Sequence, residues 1–172
     1  MIESVNLLLN LEQLRQSLCR LAANYLLKKK LYLTTAESCT GGLIAGACTD
    51  LAGSSQWFER GFVTYSNAAK TDMLDVDAAL IAKFGAVSEQ VAAAMAQGAV
   101  KNSKAQVSVA VTGVAGPTGG SPEKPVGTVW IGWCVNGQIS AELYHFEGDR
   151  AMVRALTVLQ ALQGLVERLE KI

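Results

Sequence analysis

Apolar residues recur every three to four positions along residues 11 to 29. Leu11, Leu14, Leu18, Leu21, Ala22 and Tyr25 form one stripe, which predicts a helix packed on a sheet. The first ten residues read as a loose lead-in, and Lys28, Lys29 and Lys30 close the helix where cations suit the negative end of its dipole. The period then changes. Residues 31–35 are apolar and β-branched, as in a strand, and residues 43–48 return to helical spacing. A loop is expected over 50–55, a second strand over 61–66 and a helix from Asn67. A helical pair follows over 77–84 and 88–99, the latter opening on a Ser88 cap with Glu89 and Gln90 in its first turn. Residues 107–112 read as a buried strand. Residues 127–133 and 140–146 alternate with period two around Asn136-Gly137, a hairpin signal. A last helix runs from Asp149-Arg150 to about Leu169, with Val153, Leu156, Leu159, Leu162 and Val166 facing inward. This order predicts an α/β fold: a layered α/β/α domain with a mixed, mostly parallel central sheet and a C-terminal hairpin plus helix.

Length and composition narrow the function classes. The 172 residues, half of them hydrophobic, are expected to form a single domain with a substantial core. Lysine plus arginine and aspartate plus glutamate both number 15, so the formal charge is zero, and the lack of an extended basic run argues against a nucleic-acid partner. Cys19, Cys39, Cys48 and Cys134 have no paired CxxC spacing, and the start has no basic-then-apolar signal pattern. No apolar run approaches the roughly eighteen residues of a membrane span. A reduced, cytoplasmic protein without membrane association is expected.

Chemistry concentrates where strands end. Thr35-Ala36-Glu37-Ser38-Cys39-Thr40-Gly41-Gly42 places a carboxylate, hydroxyls, a thiol and two glycines between a strand and a helix. In open α/β sheets the carboxyl ends of strands are where ligands bind. Ser38 or Thr40 as a simple helix cap would not account for the whole group. Tyr65, Ser66, Asn67 and Lys70 follow the second strand, and a glycine-rich run from Thr112 and Gly113 through Gly116 to Ser121 follows the third. That run fits neither a Walker A nor a G-x-G-x-x-G pattern, yet it lets backbone N–H groups approach an anion closely. Asp149-Arg150 offers a guanidinium for a phosphate. His145, the only histidine, lies in an apolar run without partners at metal-ligand spacing and is expected to be structural, so neither a metal centre nor a Ser-His-Asp triad is predicted. For a hydrolase, Ser38 is the candidate nucleophile and Lys70 its base, because a lysine made neutral by burial accepts a proton. Tyr65 would relay a proton or orient Lys70, and N–H groups of Thr40, Gly41 and Gly42 would stabilise an oxyanion. Cys39 is the rival nucleophile, disfavoured by the adjacent Glu37. Trp57, Phe58 and Trp130 are candidate aromatic anchors for a partner subunit, with core packing expected for at least one of the tryptophans.

The strings TTAESCTGG, DLAGSSQWFERGFVTYSNAAK, GAVSEQVAAAMAQGA, VAVTGVAGPTGG and EKPVGTVWIGW together resemble the CinA C-terminal domain family, over about residues 11 to 170. In its stand-alone form this is the nicotinamide mononucleotide deamidase family. The resemblance implies an amidohydrolase acting on a linear amide. It would convert the carboxamide of nicotinamide mononucleotide to a carboxylate with release of ammonia, in pyridine nucleotide recycling and without metal or cofactor. It also implies a Ser38 and Lys70 dyad, with Tyr65 at the matching family position. Thr112, Gly113 and Gly116 are implied as substrate contacts and Arg150 as a phosphate contact. Glu37, Thr40, Gly41, Gly42 and Asn67 complete the expected substrate-binding set, and a homo-oligomer is a family-level expectation. Longer members carry an N-terminal domain resembling molybdopterin-binding proteins, whose activity is not expected of this sequence. A non-catalytic nucleotide-binding module serving a competence or damage-response partner is the alternative reading.

Overall fold

The computed structural model describes residues 2–172, with side chains from Leu9 onward. Its centre is a five-stranded sheet in the order β2-β1-β3-β4-β5, built from β1 (Leu33–Glu37), β2 (Phe58–Val63), β3 (Val107–Gly113), β4 (Thr128–Val135) and β5 (Gln138–His145). β1 pairs in parallel with β2 and β3, whereas β4 is antiparallel to both β3 and β5. Four strands therefore point one way and β4 the other. The carboxyl ends of β1, β2, β3 and β5 lie along the same border of the sheet.

Six helices cover the two faces among the described residues: α1 (Ile2–Lys29), α2 (Leu43–Thr49), α3 (Asn67–Leu74), α4 (Ala78–Phe84), α5 (Glu89–Lys101) and α6 (Arg150–Glu170). Alternation along the strands assigns the faces. Leu33, Val107, Val109, Val111, Ile131 and Trp133 pack with α1, α2 and α6, whose buried residues include Cys19, Leu26, Ile44, Leu162 and Leu165. Ala36, Ala110 and Cys134 face α3, α4 and α5 through Leu74, Ile81, Val91, Met95 and Ala96. Burying such residues contributes on the order of 1.5–3 kcal/mol for each large aliphatic side chain. α5 carries Gly98 where it meets the end of α3, because a Cβ there would lie 2.0 Å from the Leu74 carbonyl oxygen. This close approach helps set the position of α3, the helix that bears Lys70.

Several sequence expectations shift. The first ten residues are not a loose lead-in from residue 2 onward: α1 begins at Ile2, as a segment without Gly or Pro permits. The buried stripe of α1 is Cys19, Ala22, Ala23 and Leu26, while Leu14 and Leu21 are exposed. Ala22 of the expected stripe is buried and Leu18 and Tyr25 pack against the core, so the buried face is the expected one rotated toward Cys19 and Ala23, whose small side chains let α1 lie close against α6 and α2. β2 starts three residues earlier than expected and ends at Val63. Gly61 lies in its middle because a Cβ there would crowd Thr35 Oγ1 at 2.9 Å and Ala45 at 3.0 Å. His145 ends β5 and is exposed rather than embedded. Trp57 is buried in the core and is no exposed anchor.

Candidate active site

Two backbone hydrogen bonds hold the strand ends together beyond the regular ladder. Ser38 N donates to Val111 O at 3.1 Å, and Thr64 N donates to Glu37 O at 2.8 Å. Ser38 is thereby fixed between the ends of β2 and β3. By strand alternation Glu37 points to the α2 face and Ser38 to the α3 face.

Lys70 lies in α3, whose start is capped by Ser66 Oγ accepting from Ala69 N at 3.0 Å. The lysine is 1% exposed. Its Nζ is 3.1 Å from Ser38 Oγ and donates to Thr64 O at 2.8 Å. Among the described residues it has no carboxylate partner. Burial therefore pushes its pKa below the usual lysine value, outweighing an opposing effect from Cys39. The arrangement brings a primary amine with a reduced hold on its proton against a serine hydroxyl.

The remaining turn residues divide into structural and available groups. Glu37 is fully buried, and its carboxylate accepts from Thr40 Oγ1 at 2.7 Å, Gly42 N at 3.0 Å, Ile44 N at 3.0 Å and Ala45 N at 2.8 Å. It caps α2 from below the turn, so the expectation that it binds substrate is corrected. The Thr40 hydroxyl is held by the same carboxylate. Gly41 and Gly42, at φ +60° and +100°, supply the left-handed backbone that the turn requires. The Gly41 N–H is bonded to Ser38 O, and the Gly42 N–H to Glu37. Among the described residues, Thr40 N–H alone of the expected oxyanion donors has no acceptor, and the N–H of Cys39, which the sequence did not single out, meets none but its own thiol. Burial is the main cause lifting the Cys39 thiol to about 11, and the charge of Glu37 adds to it. The thiol is therefore protonated at neutral pH, which weakens it as the rival nucleophile.

Tyr65 is 62% exposed, and its hydroxyl accepts from Arg150 Nη2 at 3.0 Å rather than meeting Lys70. Arg150 also donates through Nη1 to Gly116 O at 2.8 Å, tying the glycine-rich loop to the mouth of the cleft. Thr112 is buried and its hydroxyl donates to Ala86 O at 2.8 Å, which holds the segment leading into α5. Gly116 is buried at φ +79°, and its hypothetical Cβ would meet Val126 at 2.6 Å. Asn67 is exposed at the start of α3. Together Ser38, Cys39, Tyr65, Asn67, Lys70, Thr112, Gly113 and Arg150 line a cleft of about 230 Å³, with Ala86, Val87 and Ala115 as its apolar wall. Gly116 adjoins it through Arg150, while Glu37 and the Thr40 side chain are held beneath the turn. Among the described residues, no acidic side chain lines this cleft. A larger cavity of about 460 Å³ lies between α1, α2 and α6, lined by Leu11, Leu43, Val158 and Leu159 with Glu12, Arg15 and Asp50, and among the described residues it holds no hydroxyl or thiol side chain. Among the described residues no group of three or more His, Cys, Asp or Glu is placed to hold a metal ion.

Residues 15–169 match the CinA C-terminal domain family. The chain is 56% identical over 135 residues to the nicotinamide-nucleotide amidohydrolase PncC of Pseudomonas putida, covering 78% of this chain and 84% of that protein. It is 53% identical over 134 residues to the protein of the same name in Escherichia coli K12, covering 77% and 81%. Two crystal structures share the fold. A CinA superfamily protein from Klebsiella pneumoniae superposes with a TM-score of 0.88 at 37% identity, covering 92% of this chain and 99% of that one. A competence/damage inducible protein from Agrobacterium tumefaciens gives 0.86 at 47% identity, covering 90% and 94%.

Proposed function

Because the chain belongs to the CinA C-terminal domain family, we propose that it is an amidohydrolase that converts nicotinamide mononucleotide to nicotinate mononucleotide and ammonia. The observation that carries the mechanism is the 3.1 Å contact between Ser38 Oγ and the buried amine of Lys70. Neutral Lys70 accepts the Ser38 proton as the oxygen attacks the carboxamide carbon. The C=O electron pair moves onto oxygen, where the N–H groups of Cys39 and Thr40 are the candidate donors. The resulting Lys70 ammonium returns the proton to the departing nitrogen, the C–N bond breaks and ammonia leaves an ester on Ser38. Water then attacks this ester with Lys70 again as base, releasing the carboxylate and restoring Ser38. Arg150 at the mouth is the candidate partner of the substrate phosphate, a role that suits a planar guanidinium fork.

The test is ammonia release from nicotinamide mononucleotide in chelator, with Ser38→Ala alongside. Ser38→Ala is expected to lose turnover by at least ~10³-fold while circular dichroism and nucleotide binding by calorimetry stay close to wild type. Near-normal turnover by the variant would remove Ser38 as nucleophile. Binding without turnover by the wild type would instead favour the non-catalytic module.

A further inference from the structure

Arg154 lies one turn beyond Arg150 on α6, so both side chains project from one helix face toward the strand ends. Arg150 reaches across the cleft, whereas Arg154 reaches beneath the Ser38 turn and donates through Nη2 to Thr40 O at 2.9 Å. The same Nη2 lies 3.6 Å from where a Cβ on Gly41 would sit, so the guanidinium packs directly on the turn. Its Nε is buried without a hydrogen-bond partner, and among the described residues the side chain pairs with no carboxylate. A partly buried cation left this way is unfavourable for stability alone.

The neighbouring charge supplies a reason to retain it. Glu37 holds a fully buried carboxylate directly before the nucleophile, and this negative charge opposes the growth of an oxyanion on the same turn. The Cys39 thiol registers both fields, with Glu37 raising its pKa and Arg154 lowering it. Glu37 fixes the far end of the turn through α2, and Arg154 fixes the Thr40 peptide from the side of α6. The Cys39 and Thr40 N–H groups lie on the segment that these two side chains anchor, Glu37 through Gly42 and Ile44 N and Arg154 through Thr40 O.

We propose that Arg154 is a positioning residue, which orients the Ser38–Gly41 turn through the Thr40 carbonyl and offsets the field of Glu37 as negative charge develops on the amide oxygen. This rests on Ser38 being the nucleophile. Arg154 touches no reacting atom, so its removal affects the transition state more than the bound substrate.

The experiment is steady-state ammonia release from nicotinamide mononucleotide by wild type, Arg154→Met, Arg154→Lys and Ser38→Ala, with thermal melts of each. Arg154→Met is expected to lower kcat about 10–100-fold with KM within about twofold, less than the loss of a direct oxyanion donor. Arg154→Lys, which keeps the charge, is expected to recover part of kcat. Four results overturn the proposal. They are unchanged kinetics, a rise confined to KM, an Arg154→Lys no better than Arg154→Met, or a kcat loss that only follows a falling melting temperature. Turnover by Ser38→Ala, or none by the wild type, would fail the underlying reading and the Arg154 role with it. Activity lost in Ser38→Ala but kept in Arg154→Met fails the Arg154 role alone.

Discussion

An ordinary lysine, with a pKa of about 10.4, is a neutral amine in about one molecule per thousand at pH 7.4. Lys70 departs from this because its amine is buried and, among the described residues, contacts only uncharged oxygens and no anionic partner that would hold its proton. The proposed base is the neutral form, so kcat/KM is expected to rise about tenfold per pH unit below the lowered pKa and to level off above it. The same depression acts on stability. The unfolded chain binds the Lys70 proton more tightly, so this contribution is complete above the ordinary lysine pKa and is lost as pH falls through the lowered folded value. Lys70→Arg separates charge from basicity, because a guanidinium donates hydrogen bonds but does not accept a proton in this range. It is expected to lose about 10²–10⁴-fold in kcat, the usual contribution of a positioned general base, and Lys70→Met to fall at least as far. Initial rates of ammonia release from pH 5.5 to 9.5, with circular dichroism at each end, provide the assay. A flat profile, or a folded Lys70→Arg retaining more than about a tenth of wild-type kcat, would refute the role given to Lys70.

Glu37→Gln places an amide N–H₂ against N–H groups that a carboxylate now accepts, and is expected to cost about 2–4 kcal/mol. The melting temperature would then fall by about 4–16 °C, whereas an unchanged melt with a raised KM would restore the substrate-binding role for this residue. Arg150→Ala is expected to raise KM for nicotinamide mononucleotide about 10–100-fold while leaving the phosphate-free nucleoside little affected. Equal effects on both, measured by the same ammonia assay, would exclude a phosphate contact and leave only the tie from Tyr65 to Gly116.

Periodicity exposed the sheet, because β3 is a valine-rich, almost wholly buried strand and the β4–β5 hairpin turns at Asn136-Gly137. It also brought Ser38 and Lys70 into one hypothesis, since each follows a strand end. Which polar group faces outward was harder to read. Glu37 and Ser38 are adjacent and both polar, yet a pleat turns one under α2 and the other toward Lys70. Arg154 gave no local signal, because an arginine on the polar side of an amphipathic helix looks solvated until α6 is docked beside the Thr40 carbonyl. The face of α1 is legible only in part for a related reason: Ala22, Leu18 and Tyr25 of the apolar stripe do turn inward, whereas packing against α6 and α2 selects the small Cys19 and Ala23 over Leu14 and Leu21.

The order of the strands has a consequence for how the chain acquires its chemistry. β1 lies between β2 and β3, and the chain completes α2, β2, α3, α4 and α5 before β3 can close the other side. The cleft then still lacks Arg150, and the turn beside it the support of Arg154, until the hairpin has paired and α6 has docked. Contacts this distant in sequence form late in folding, because loop closure precedes the reward of pairing. Nothing shorter than the nearly complete chain can therefore assemble the cleft. A nascent or clipped polypeptide would carry Ser38 and Lys70 as harmless side chains, and the appearance of turnover would mark the moment at which folding is finished.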